Sequence, residues 1–119
     1  MGNRMNAAAE SSHASRHWLW QRATAVALVP LTLWFVFNIL SAIGDSHAAV
    51  VAWVSRPGVT VAFIVYLVMM FWHAQMGLQV VLEDYVAAES TRAKCLLAAR
   101  LINSVAAAVA VAAVFVIAL

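Results

Sequence analysis

Three stretches of this chain run for about twenty residues or more without a charged side chain. All the Asp, Glu, Lys and Arg lie outside them, in the N-terminal segment and the two short connections. The first is 23–43 (ATAVALVPLTLWFVFNILSAI), the second 58–82 and the third 101–119. At 1.5 Å of rise per residue each is long enough to cross a hydrocarbon layer of about 30 Å as a helix. In lipid a spanning segment must satisfy its own backbone N–H and C=O groups, and a helix does so within one segment. The pattern therefore predicts an all-α membrane protein with three transmembrane helices.

The segments between them read differently. Residues 1–21 are small and polar and lack the apolar core of a secretory signal, so they form a short N-terminal tail ahead of a membrane domain over 22–119. The stretch from Gly44 to Pro57 carries Asp45, Ser46, His47, Arg56 and an Arg-Pro-Gly breaker around an apolar piece too short to span. It reads as a connecting loop. Residues 83–100 form a second polar connection. Inside the first span, Pro30 removes one backbone hydrogen bond and predicts a kink used for packing. In the last span, Ser104, Ala108 and Ala112 recur four apart, a small-residue spacing that lets membrane helices approach closely.

Composition strengthens the membrane reading. Of 119 residues 66% are hydrophobic and 10% charged, against roughly 45–50% and 25% in soluble domains, too few polar residues to cover an apolar core. Seven Lys and Arg against five Asp and Glu make no dense basic stripe, which argues against nucleic-acid binding. Their distribution is informative: Arg4, Arg16, Arg22, Arg92, Lys94 and Arg100 flank one side of the predicted topology and only Arg56 the other. The positive-inside rule then puts the N-terminus and the second connection in the cytoplasm, with the C-terminus opposite. A single cysteine, Cys95, makes neither an intrachain disulfide nor a cluster site. Gly-rich phosphate loops, HExxH pairs and nucleophile elbows are absent from the sequence, so any catalysis is shared with partners.

The candidate chemistry sits on the second span. His73 is the one histidine predicted to lie within a membrane interior, where an ionisable group is a functional candidate by default. It serves either as a metal ligand or as an interhelical hydrogen-bond partner. Gly77, four residues on, shares nearly the same face and suits either a flat macrocycle against the backbone or a close helix contact. Asp84 follows His73 by three turns, about 16 Å along the axis, with Tyr85 beside it. That pair offers a phenolic donor and an acid to a quinone at the membrane edge, or else an aromatic anchor and a solvated carboxylate. Arg22 either snorkels to lipid phosphates or meets haem propionates. Trp18, Trp20, Trp34, Trp53 and Trp72 include interfacial belt residues and are given no chemistry.

Two segments carry a family resemblance: Arg22-Ala-Thr-Ala25 entering the first span, and His73-Ala-Gln-Met-Gly77 with Glu83-Asp84-Tyr85-Val86 closing the second. With three spans of this length, they make the chain resemble the hydrophobic membrane anchor subunits of succinate dehydrogenase, respiratory complex II. The resemblance covers the chain from Trp18 onward. It implies a subunit that is not catalytic alone but belongs to a succinate:quinone oxidoreductase, in a heteromeric bundle with a cytochrome b membrane subunit and beside iron–sulfur and flavoprotein subunits. On that basis His73 would be one axial ligand of a shared haem b, Tyr85 and Asp84 would meet ubiquinone, and Arg22 would lie near the haem propionates. His17 departs from the family spacing relative to Arg22 and receives no role. The expected location is a bacterial cytoplasmic membrane, with a mitochondrial inner membrane as the less favoured alternative. A fumarate reductase anchor is the alternative within the same chemistry. A non-redox structural or transporter-associated subunit is the alternative outside it.

Overall fold

The computed structural model describes residues 2–119. It contains four helices: α1 over Gly2–Ser41, α2 over His47–Val54, α3 over Pro57–Tyr85 and α4 over Glu89–Ala118. Three of them, α1, α3 and α4, are long and apolar enough to cross a membrane. The helices overshoot the apolar stretches that predicted them. Residues 2–21, read as a tail, are helical and continue into the first span without a break, and α1 also runs uninterrupted through Pro30. Most of the polar connection at 83–100 is likewise helical, which leaves only Val86, Ala87 and Ala88 between α3 and α4. The physical reason is that hydropathy marks where lipid ends, whereas a helix ends only where its backbone finds other partners.

The first connection also differs from the loop expected. Gly44 adopts φ +92°, a conformation side-chain-bearing residues rarely reach, and so turns the chain out of α1. Ser46 then caps α2 by accepting from the Ala49 N–H at 3.2 Å. Pro57, at the first position of α3, has no N–H to leave unpaired there.

The long helices form a row with α3 in the middle. It packs against α1 on one side and α4 on the other, with α2 against α3 and α4. The register against α1 is antiparallel. It is fixed by Trp20 against Trp72 (ring centroids 5.0 Å apart), Thr24 against His73, and Phe35 against both Phe63 and Tyr66. Against α4 it is held by Asn103, whose side-chain N–H donates to the Phe71 carbonyl at 2.9 Å. That carbonyl keeps a second lone pair for its own helix, so deleting the amide leaves no orphaned group. Asn103→Ala is therefore expected to cost only about 1 kcal/mol, read as a small fall in Tm of the purified protein.

A row of three helices buries little. Among the described residues, only Thr24, Val54, Tyr66, Met76 and Val114 are buried, while Val26, Leu33, Phe37, Val105 and Val109 stand exposed. Such an apolar surface requires lipid or neighbouring subunits. The small stripe of α4 belongs to that outer surface: Ser104, Ala108 and Ala112 are exposed. Asn103, Ala107, Val111 and Val114 are the more covered positions of α4. An alanine-rich helix carries more than one small face, and only one of them meets α3.

Candidate functional site

His73 sits where α1 and α3 face one another. Its Nδ1 lies 3.0 Å from the Thr24 hydroxyl, and Thr24 is 1% exposed, the most buried polar residue of the chain. The same hydroxyl lies 2.8 Å from the Trp20 carbonyl and 3.1 Å from that of Gln21. A threonine hydroxyl has one proton and two lone pairs. With its proton given to the nearby Trp20 carbonyl, its oxygen accepts from His73 Nδ1–H. That assignment places the imidazole proton on Nδ1 and leaves a lone pair on Nε2, the arrangement that outer hydrogen bonds impose on metal-ligating histidines.

The ring borders an open apolar groove of about 400 Å³ lined by Ala25, Leu28, Val29, Thr32 and Leu33 of α1. All five lining residues come from one stripe of α1, and Arg22 precedes Ala25 by one turn and Val29 by two on that stripe. A planar, largely apolar group with acidic substituents fits this donor set: a neutral imidazole nitrogen, an apolar wall, and a cation at the polar end. Arg22 is exposed, with its guanidinium 5.6 Å from the Trp18 ring centroid. The groove is open along one side, which suits a group shared with a second polypeptide.

Gly77 does not line this groove. A Cβ built there would lie 4.0 Å from Gln21 Nε2, an ordinary contact, so no close helix approach within this chain requires a glycine at this position. Asp84 and Tyr85 form the end of α3 and are exposed, Tyr85 to 83%. Among the described residues neither side chain makes a hydrogen bond to another side chain. The fold thus brings His73 to Thr24 and to the groove, aligns Arg22 with that groove, and keeps Asp84 and Tyr85 apart on the outer surface.

Sequence reasoning missed Thr24 as an individual residue, although it lies within the Arg22–Ala25 segment. The available signal was a hydroxyl among apolar neighbours in the first span. It also left aside a polar seam farther along the α1–α3 contact, where His17 Nε2, Gln21 Oε1 and both amide atoms of Gln75 are buried without hydrogen-bond partners.

Comparison with known proteins agrees with the architecture. The family described as succinate dehydrogenase/fumarate reductase transmembrane subunit matches residues 4–119. The chain is 32% identical over 102 residues to the succinate dehydrogenase hydrophobic membrane anchor subunit of Rickettsia bellii, covering 85% of this chain and 81% of that one. The corresponding subunit of Rickettsia felis is 29% identical over 101 residues, covering 85% and 84% of the two chains. The membrane anchor subunit of Reclinomonas americana is 33% identical over 81 residues, covering 66% and 68%. No solved structure matches. With nearly the whole chain matched and three apolar helices of spanning length, the chain belongs to the succinate dehydrogenase/fumarate reductase transmembrane subunit family.

Proposed function

We propose that this chain anchors succinate dehydrogenase in a bacterial cytoplasmic membrane, supplies one axial ligand to a haem b shared with the cytochrome b subunit, and forms part of the ubiquinone-reduction site. The observation that carries the reading is the Thr24–His73 contact, because it leaves Nε2 available beside an apolar groove. The Rickettsia and Reclinomonas relatives support the succinate dehydrogenase assignment over a fumarate reductase anchor.

A bound haem b supplies a one-electron carrier within the membrane. Thr24 holds the His73 ring in one tautomer and orientation, while Ala25, Leu28, Val29 and Leu33 exclude water along one edge of the groove. Arg22 balances acidic substituents at the polar end. Three turns away, the Tyr85 phenol donates a hydrogen bond to a quinone carbonyl, and Asp84 delivers a proton as electrons reach the ring. The iron–sulfur and flavoprotein subunits bring electrons from succinate to this side. The cytoplasmic placement of the N-terminus and of the α3–α4 connection, argued from Lys and Arg counts, puts Asp84 and Tyr85 on that same side.

Thr24→Val tests the carrying observation. Valine nearly preserves shape and removes the acceptor for Nδ1–H, so haem affinity of the purified complex is expected to fall about 10- to 100-fold. Haem retention measured against protein concentration reads this directly. Unchanged retention and an unchanged reduced-minus-oxidised spectrum would show that Thr24 does not support a ligand.

A further inference from the structure

At the end of the bundle away from the N-terminus, α2 is flanked by opposite charges: Asp45 lies two residues before it and Arg56 two residues after it. Both stand on pinned backbone. Just past the Gly44 turn, the Asp45 N–H donates to the Ala42 carbonyl at 3.0 Å. As α3 begins, the Arg56 carbonyl accepts from the Thr60 N–H at 2.9 Å and from its hydroxyl at 3.0 Å. The two charged side chains line a single cavity of about 290 Å³, together with Asn38, Ser41, Ala49 and Trp53. Among the described residues the carboxylate and the guanidinium form neither an ion pair nor a side-chain hydrogen bond. Opposite charges that share a cavity without meeting offer complementary ends to one ligand that carries both signs.

The cavity narrows the chemistry of that ligand. One carboxylate against one guanidinium leaves it neutral, so Asp45 repels a group that is only anionic. The charges flank a helix about 12 Å long, a separation that a phosphate joined to an ammonium through two carbons bridges and a single ion does not. A carboxylate only accepts hydrogen bonds, which favours an ammonium bearing N–H groups. A quaternary ammonium is recognised by a cage of aromatic rings, and Trp53 is the one aromatic among the residues lining this cavity.

Location supplies the rest. The Trp53 ring is held against Trp34 and Phe63, with ring centroids 6.0 and 6.3 Å away, and tryptophans gather at the depth where lipid head groups meet hydrocarbon. Ser41 lines the cavity, and Phe37 and Leu33 precede it by one and two turns of α1, both exposed. They form an apolar track from the cavity toward the membrane interior.

We propose that this cavity binds the head group of a phospholipid with a primary ammonium, phosphatidylethanolamine, in the leaflet opposite the N-terminus. Asp45 accepts hydrogen bonds from the ammonium, Arg56 donates to the phosphate, and an acyl chain lies along Phe37 and Leu33. None of these residues takes part in the proposed haem or quinone sites.

The test is lipid retention by the delipidated whole complex, titrated with phosphatidylethanolamine, phosphatidylcholine or phosphatidylglycerol of identical acyl chains and read by native mass spectrometry. The unaltered complex is expected to bind the ethanolamine lipid about 10-fold more tightly than either of the others, the range for one charge-assisted hydrogen bond. Asp45→Asn, which keeps the shape and removes the negative charge, is expected to abolish the preference over phosphatidylcholine. Arg56→Gln is expected to weaken both zwitterionic lipids about 10-fold by removing the phosphate partner. Both positions are exposed in this chain, so subunit composition is expected to hold in either variant. Equal retention of the three lipids, tighter retention of phosphatidylglycerol, or an unchanged preference in Asp45→Asn would overturn the proposal. Soluble glycerophosphoethanolamine has the same charged groups without chains and is expected not to displace the lipid at equal concentration; displacement there would overturn the lipid as the occupant.

Discussion

Changing His73 to alanine is expected to strip the assembled complex of its b-type haem signal. Nε2 is the nitrogen left with a lone pair once Nδ1 is engaged by Thr24, and no neighbouring group replaces it. Of the other histidines, His13 and His17 lie seven or more residues before Thr24 on α1, at least about 10 Å away along the axis, and His47 begins α2 near the opposite end of the row. Loss of haem affinity should exceed the roughly 10- to 100-fold expected for losing an outer partner such as Thr24. Folding should be affected far less. The Thr24 hydroxyl still has the Trp20 carbonyl for its proton, so the substitution orphans no buried donor. Absorption spectra of the reduced complex, measured beside its subunit stoichiometry, separate the two effects. A haem band unchanged in position and amplitude would refute the ligand role.

The second large effect is expected at the end of α3. Tyr85→Phe should lower quinone reduction on the order of 10²-fold, the range for losing one hydrogen-bonding or proton-handling group in a transition state. Succinate oxidation with a soluble dye should continue unchanged. The substitution is informative because Tyr85 is 83% exposed in this chain and has no internal hydrogen bond. Phenylalanine keeps the apolar ring for the membrane edge and removes only the hydroxyl. A fold defect would lower both activities together, and equal loss of both would refute the quinone contact.

His73, Asp84 and Tyr85 were candidates in the sequence for different reasons. His73 stood out because a histidine amid an uncharged apolar stretch is costly without a partner. Asp84 and Tyr85 stood out by their position at the end of that stretch and by the spacing that resembles the family pattern. Thr24 did not stand out. A lone threonine in an apolar helix usually returns its hydroxyl to its own backbone, as this one does toward Trp20. Its second role appears only when residue 73 is brought beside it from 49 positions away. The same holds for His17, Gln21 and Gln75, each unremarkable near a membrane edge until the antiparallel packing of α1 and α3 encloses them together. Gly77 shares helical phase with His73, and its one neighbour across the seam is the end of the Gln21 side chain at 4.0 Å.

By itself the sequence determined the membrane environment, the number of spanning helices and the residues worth testing, because lipid acts on each segment independently and a run of uncharged apolar residues is a local property. Tertiary structure decided how far each helix extends beyond lipid, that α3 is central, and which small face of α4 is used. It also brought the Thr24 hydroxyl to Nδ1 of His73. Those outcomes depend on side chains far apart in sequence sharing one seam, where a single hydroxyl proton or an enclosed amide changes what its neighbour can bind.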